Sequence, residues 1–294
     1  MSTITTSAKK ARKPITKGRV LSHLFIWVLI LFTIFPIYIV IESSLNTTGL
    51  LSTNSFLPHG ISFANYKLLF HDPAVPFSRW MLNSFILATL NAVVSVFIGA
   101  AAAFAFSRMK FRGRKSGLQA LLLVQVFPSF LAIAAIYVMM ERVYTVFPAF
   151  GLGSMGGLLL IYLGGSMGVN VWLLRGYINT IPLELDEAAR IDGASTTQVY
   201  WLIFFPLAAP VLAVTALLAF IGTFNEFVLA SLFLTNVDQR TVAVGLESFI
   251  GAALGQNWGP FAAGSILASI PLVAIFLSLQ RFIIGGLTQG ATKG

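Results

Sequence analysis

Ser166 is the residue whose surroundings most suggest a nucleophile. Gly164-Gly165-Ser166-Met167-Gly168 satisfies the Gly-x-Ser-x-Gly pattern that presents a serine hydroxyl on a sharp strand-to-helix turn. That chemistry needs a base, and the three histidines, His23, His59 and His71, lie outside or at the edge of the apolar runs. Gly164 and Gly168 also form Gly-x-x-x-Gly, as do Gly153 and Gly157, the small-residue spacing that lets two membrane helices pack closely. Other chemistries lack candidates too. There is no Gly-x-x-x-x-Gly-Lys-[Ser/Thr] loop to cradle a phosphate and no His-Glu-x-x-His or carboxylate cluster for a metal or a proton relay. Without cysteine there is no thiolate and no disulfide. What remains is four polar residues set in apolar runs, Gln125, Asn170, Asn225 and Glu226, and such a side chain at membrane depth is by default a functional-site hypothesis. They are candidates for a translocation path, with interhelical hydrogen bonding, or for Glu226 a place near the outer interface, as the alternative.

The elements that position these residues are membrane spans. Of 294 residues 57% are hydrophobic and 10% charged, with a mean hydropathy of +0.86, which excludes a water-soluble domain. Apolar stretches long enough to cross a bilayer as helix fall near 21–44, 80–106, 117–140, 156–178, 205–234 and 259–283. The fold class is therefore all-α, a polytopic membrane protein of six transmembrane helices. The fifth stretch is too long for one perpendicular crossing and opens with Pro206 and Pro210, so it starts in the interface or tilts. Pro36, Pro128 and Pro271 are candidate kinks.

With six spans both termini lie on one side. That side carries Lys9, Lys10, Arg12, Lys13, Lys17 and Arg19, the cluster Arg108, Lys110, Arg112, Arg114 and Lys115, and Arg175, Arg190, Arg281 and Lys293; the other side has only Lys67, Arg79, Arg142 and Arg240. The asymmetry places both termini in the cytoplasm. It also accounts for the net charge of +9 and the pI near 10.0 without nucleic acid. The basic N-terminus before an apolar run could pass for a secretory signal, but Leu24 to Ile41 is long enough to span and Glu42-Ser43-Ser44-Leu45 is not a small-x-small cleavage site. An uncleaved first helix is expected.

One cytoplasmic loop stands out, 175–204, between the fourth and fifth spans. Thr180 to Gly193 reads as a short helix, with Pro182 suited to its first turn, Glu184, Asp186 and Glu187 near the positive end of its dipole, and Gly193 as its stop. Ile181, Leu185, Ala188 and Ala189 share a stripe, and Asp186 and Arg190 are spaced for an i, i+4 ion pair. Ser195 to Gln198 matches a capping box, so a second helix follows. This helix-turn-helix is either a knob that docks into another protein or an amphipathic connector on the membrane, although interfacial helices usually carry more Lys and Arg.

Glu187-Ala188-Ala189, Asp192-Gly193-Ala194, Ile203 and Pro206 together resemble the Glu-Ala-Ala signature of permease subunits of binding-protein-dependent ABC importers, with Phe205 where the family has Leu. Phe224-Asn225-Glu226-Phe227 resembles the Trp-Asn-Glu-Phe run of carbohydrate permeases, and the ending Gln280 to Gly294 is similar to the second permease of maltose-type systems. The similarity extends from about Trp80 to Gly294. It implies a type I importer permease with no enzymatic activity and no cofactor of its own, in a bacterial or archaeal cytoplasmic membrane, importing a sugar such as a maltodextrin-like oligosaccharide. The implied partners are a second permease, two ATP-binding-cassette ATPases carrying ATP and Mg, and an extracytoplasmic solute-binding protein. Glu187, Ala188, Ala189, Asp192 and Gly193 would couple to the ATPases, and Gly286, Leu287, Thr288, Gln289 and Gly290 in the tail would contact them.

The expected organisation is a basic cytoplasmic tail at 1–20, the first helix and a long external loop at 21–79, a transport core at 80–283 containing the loop 175–204, and a cytoplasmic C-terminal tail at 284–294. A secondary transporter would need coupling charges near the midplane, for which Glu226 stands alone. An intramembrane enzyme would need a nucleophile facing a base, and a passive channel a repeated polar stripe.

Overall fold

Continuous apolar sequence with few breakers favours helix throughout, because a backbone in lipid must satisfy its own hydrogen bonds. The computed structural model describes residues 17–46, 60–251 and 257–291, and these contain helices and turns but no strand. The long helices are α1 (Lys17–Leu45), α3 (Phe77–Arg108), α6 (Met155–Ile178), α8 (Thr196–Phe224) and α11 (Trp258–Ala291). Between them lie α2 (Ala64–His71), α4 (Arg114–Val126), α5 (Ser129–Val146), α7 (Glu184–Ile191), α9 (Val228–Phe233) and α10 (Val242–Glu247). The basic residues from Lys9 to Lys13, and Lys293, lie outside the described residues.

Five of the expected spans are helices of membrane-crossing length. The third is not one straight helix. α4 and α5 are bent by 102° at a break that includes Phe127 and Pro128, where proline cannot donate to the preceding turn and its ring crowds it. Pro36 and Pro271, by contrast, sit inside uninterrupted helices. The fifth span is also redrawn. α8 begins at Thr196, passes Pro206 and Pro210, and ends at Phe224; α9 is a separate short helix. A π-helical stretch, Val199–Phe204, ends two residues before Pro206 and loosens the ladder where that proline lacks its N–H.

Lipid offers no hydrophobic incentive for helices to associate, so close packing and polar ties must hold them. On α3, Ala88, Ala92, Ser95, Gly99 and Ala103 form one small-residue stripe, all buried. At Gly99 an added Cβ would come within 2.9 Å of the Asn170 Cβ, so glycine is what lets α3 and α6 approach. Asn91 donates to Thr223 Oγ1 (2.7 Å) on α8 and to Ser166 Oγ (3.2 Å) on α6, tying the three central helices together. Large residues fill the ends. Trp80, Phe220, Phe224, Val242 and Leu246 form one cluster, and Phe104, Leu174, Ile178, Val199, Tyr200 and Phe204 another. The second cluster lies directly under the loop between α6 and α8.

α1 runs along α11 with its apolar side chains bare over most of their surface, Phe32 at 78% and Leu31 at 66%. That is the expected condition of a lipid-facing helix. Gly153 and Gly157 do not form a helix-packing pair. Gly153 takes a left-handed φ of +79° in the turn before α6, and Gly157 leaves room for the carbonyls of Phe150 and Gly151.

Candidate functional site

The loop between α6 and α8 is a helix-turn-helix whose turn is fully specified by its sequence. α7 carries Glu184, Asp186 and Glu187 in its first turn, where the helix dipole favours negative charge. At its other end Ala194 N donates to Ala189 O (2.9 Å) and Gly193 N to Arg190 O (3.1 Å), with Gly193 at φ +86°. This is a Schellman closure, which places its glycine in the left-handed region. Ser195 then caps α8: its Oγ accepts from Gln198 N (3.3 Å), and Gln198 Oε1 accepts from Ser195 N (2.8 Å). Pro182 sits two residues before α7 rather than within it.

The expected stripe on α7 is divided. Ile181 and Ala189 pack on the cluster formed by Ile178, Val199 and Tyr200, whereas Leu185 and Ala188 are exposed. The outward face consists of Glu184, Glu187, Ala188 and Ile191, with Ile191 86% bare and Leu183 beside it 56% bare. Asp192 and Gly193 are exposed at the tip.

Asp186 does not pair with Arg190. It is the buried residue of α7, and its Oδ2 accepts from Arg108 Nε at 3.0 Å, at the last residue of α3. Arg108 Nη2 also donates to Ile181 O (2.7 Å) and Ile178 O (3.2 Å). The ion-paired side chains keep only 6% and 10% of their surface. One guanidinium thus joins the end of α3, the end of α6 and the first turn of α7, so α7 is fastened to the transmembrane core. Arg190, one turn further along the same side of the short helix, is exposed to solvent.

The four embedded polar residues are not brought together. Asn170 is buried and donates to Ser95 Oγ (3.1 Å), an interhelical tie. Glu226 caps α9: its carboxylate accepts from Leu229 N (2.8 Å), Ala230 N (3.0 Å) and Tyr162 O–H (2.6 Å). Gln125 lies against Gly168, where a Cβ would collide with it, on the wall of an apolar cavity of about 750 Å³. Asn225 follows the end of α8 and lines a different cavity. Gly164 and Gly165 border Gln125's cavity with open space above them, so of the Gly164/Gly168 pair only Gly168 marks a close contact within this chain. Ser166 is engaged with Asn91 and the Tyr162 carbonyl, so its hydroxyl serves as a tie between α3 and α6. The helical backbone continues through Gly286, Leu287, Thr288, Gln289 and Gly290, as the C-terminal part of α11.

Residues 95–288 match the family described as the inner membrane component of binding-protein-dependent transport systems. The chain belongs to this family. Among its relatives, the maltose/maltodextrin transport system permease protein MalG of Vibrio parahaemolyticus is 36% identical over 285 residues, which is 93% of this chain and 95% of the relative. The protein of that name from Escherichia coli K12 is 35% identical, with both chains fully covered. The similarity therefore extends well before Trp80. A solved bacterial ABC transporter involved in the import of the acidic polysaccharide alginate has a chain that superposes with a TM-score of 0.74 at 21% identity, over 92% of this chain and all of that one. The molecule is thus a multi-pass permease of the cytoplasmic membrane with an importer fold, a transport component and not an enzyme.

Within this permease, Arg108 is the residue of the candidate site that sequence reasoning passed over. It stood among the fifteen basic residues whose side reports orientation, and nothing local connects it to Asp186. The available signal was the excess of acid on α7: Asp186 falls on the side of the helix away from Glu187 and Ala188, toward the core, where a carboxylate requires a partner.

Proposed function

We propose that this permease is one half of the membrane channel of an ATP-driven sugar importer, of the maltose/maltodextrin type, with both termini in the cytoplasm. The observation that carries the coupling assignment is the exposed face of α7, acidic and apolar together, on a helix fastened through Asp186 to Arg108. Glu187 offers charge for a basic partner, Ala188 permits close approach, and Ile191 and Leu183 offer apolar surface. A partner that pushes on this face moves α3 and α6 with it, because Arg108 holds both. In this reading Glu187, Ala188, Ala189, Asp192 and Gly193 form or shape the contact with an ATP-binding-cassette ATPase, and Gly286 to Gly290 reach the same partner.

The complete assembly is taken to contain a second permease, two ATPases that bind ATP and Mg, and an extracytoplasmic binding protein that delivers the sugar. The relatives named for maltose and maltodextrin, matched over most of their length, support the substrate class. The test is purification of the tagged chain from its native membrane, followed by reconstitution and uptake of labelled maltotriose. Co-purification of an ATPase with a second permease, and uptake that requires ATP, is the expected result. A chain that purifies alone and retains uptake driven by an ion gradient would overturn the reading in favour of a secondary transporter.

A further inference from the structure

The end of α8, α10 and the first half of α11 line an open cavity of about 450 Å³, within the range of small-molecule sites. Its position is fixed by the core. Val242 and Leu246 pull α10 into the cluster around Trp80 and Phe224, and Gly245 leaves room for the indole ring, so the next turn brings Glu247 to the cavity wall. Phenylalanines 224, 227 and 261 supply apolar walls.

The polar atoms facing this space are mostly acceptors. Asn225 Nδ2 donates to Ile221 O (3.0 Å), Ser265 Oγ to Phe261 O (2.8 Å) and Ser269 Oγ to Ile266 O (2.7 Å). The hydroxyl protons are spent on helix carbonyls, so the serines and the Asn225 carbonyl oxygen face the cavity as acceptors, and the second N–H of Asn225 is the one side-chain donor among them. The Glu247 carboxylate makes no hydrogen bond or ion pair among the described residues, and Gly251 leaves it space. No lysine, arginine or histidine among the described residues lines the cavity. An occupant must therefore bring donors and must not bring negative charge. A neutral sugar does both: each hydroxyl donates, and its C–H faces suit phenyl walls. A uronate adds an acceptor-only carboxylate beside Glu247.

We propose that this cavity is a sugar subsite on the present chain, and that Glu247 makes it selective for neutral over uronic-acid saccharides. The inference rests on the sugar-importer reading and adds to it a place of contact and a charge rule. It also separates this permease from the fold relative that serves an acidic polysaccharide.

The test is equilibrium binding of maltotriose and of a mannuronate trimer to the full permease–ATPase complex in nanodiscs, without the binding protein, so that only the membrane subunits select. The unaltered complex should bind maltotriose at least about tenfold more tightly than the uronate. Glu247→Gln keeps the shape and one acceptor, and should bring the two Kd values within about threefold by admitting the uronate. Glu247→Ala with Ser269→Ala should weaken maltotriose about tenfold, at unchanged assembly with the ATPase. An unmoved maltotriose-to-uronate ratio in Glu247→Gln would remove the proposal, as would a glucosamine trimer binding more tightly than maltotriose, which would mark a cation site. ATP-dependent maltotriose uptake by the unaltered complex keeps the two readings apart. Uptake intact with the ratio unmoved removes the subsite alone, and absent uptake removes the sugar-importer reading.

Discussion

Replacing Asp186 by alanine should release α7 from the membrane core. The carboxylate is the only charged partner of Arg108 among the described residues, and both side chains are nine-tenths or more buried. Without it the guanidinium keeps only the Ile178 and Ile181 carbonyls and remains a buried, uncompensated charge. Breaking such a pair by removing one partner costs about 3–5 kcal/mol. Asp186→Asn retains an acceptor for Nε but loses charge assistance, for a cost of about 1–2 kcal/mol. The double replacement Arg108→Leu with Asp186→Leu should be milder than Asp186→Ala alone, because no buried charge survives and only the two carbonyls lose their donor. Thermal unfolding of the purified permease gives the three costs. Tryptic cleavage at exposed Arg190 reports whether α7 itself has come loose. Equal costs for the single and double replacements, or cleavage at Arg190 unchanged in Asp186→Ala, would refute the positioning role.

Three other outcomes follow from the same geometry. Glu187→Lys and Gly193→Asp should leave the chain inserted in the membrane while abolishing ATP-dependent uptake; Gly193→Asp adds about 1–2 kcal/mol of backbone strain at φ +86°, and normal uptake by both variants would contradict the coupling assignment. Gly99→Val should lower stability by about 1–3 kcal/mol, since its side chain must displace Asn170 at the α3–α6 contact, and thermal unfolding checks it. Trp80→Ala empties the centre of the cluster with Phe220 and Phe224 and frees the Val237 carbonyl, which accepts from the indole N–H at 2.7 Å; a loss of about 3–5 kcal/mol is expected by the same measurement.

What was legible in the sequence was local. Gly193 as a helix stop, Ser195 with Gln198 as a capping box, and the apolar runs that became five long helices all depend on neighbours within a few turns. The resemblance around Glu187-Ala188-Ala189 pointed to the right family. Contacts across the fold were not legible. The choice of Arg108 over Arg190 for Asp186 depends on which side of α7 meets α3, and helical spacing alone allows either. Pro128 promised a kink, but a 102° break between α4 and α5 depends on what surrounds it. The apolar flanks of Asn225 and Glu226 concealed the end of α8, so a carboxylate that caps α9 read as one embedded in a span. Glu247 drew no attention because it lies between the fifth and sixth apolar stretches, and only the packing of Val242 and Leu246 shows that α10 returns to the core.

The central claim is that the outer face of α7 meets an ATPase, and the absence of cysteine from the chain makes it directly testable. Cysteine would be placed at exposed Ala188 and, as a control, at buried Leu174 beneath the loop, each in native membranes containing the partner subunits. A short thiol-to-amine cross-linker should join the Ala188→Cys chain to the co-purifying ATPase and leave the Leu174→Cys chain unlinked. An ATPase that co-purifies yet never cross-links to position 188 would contradict the account.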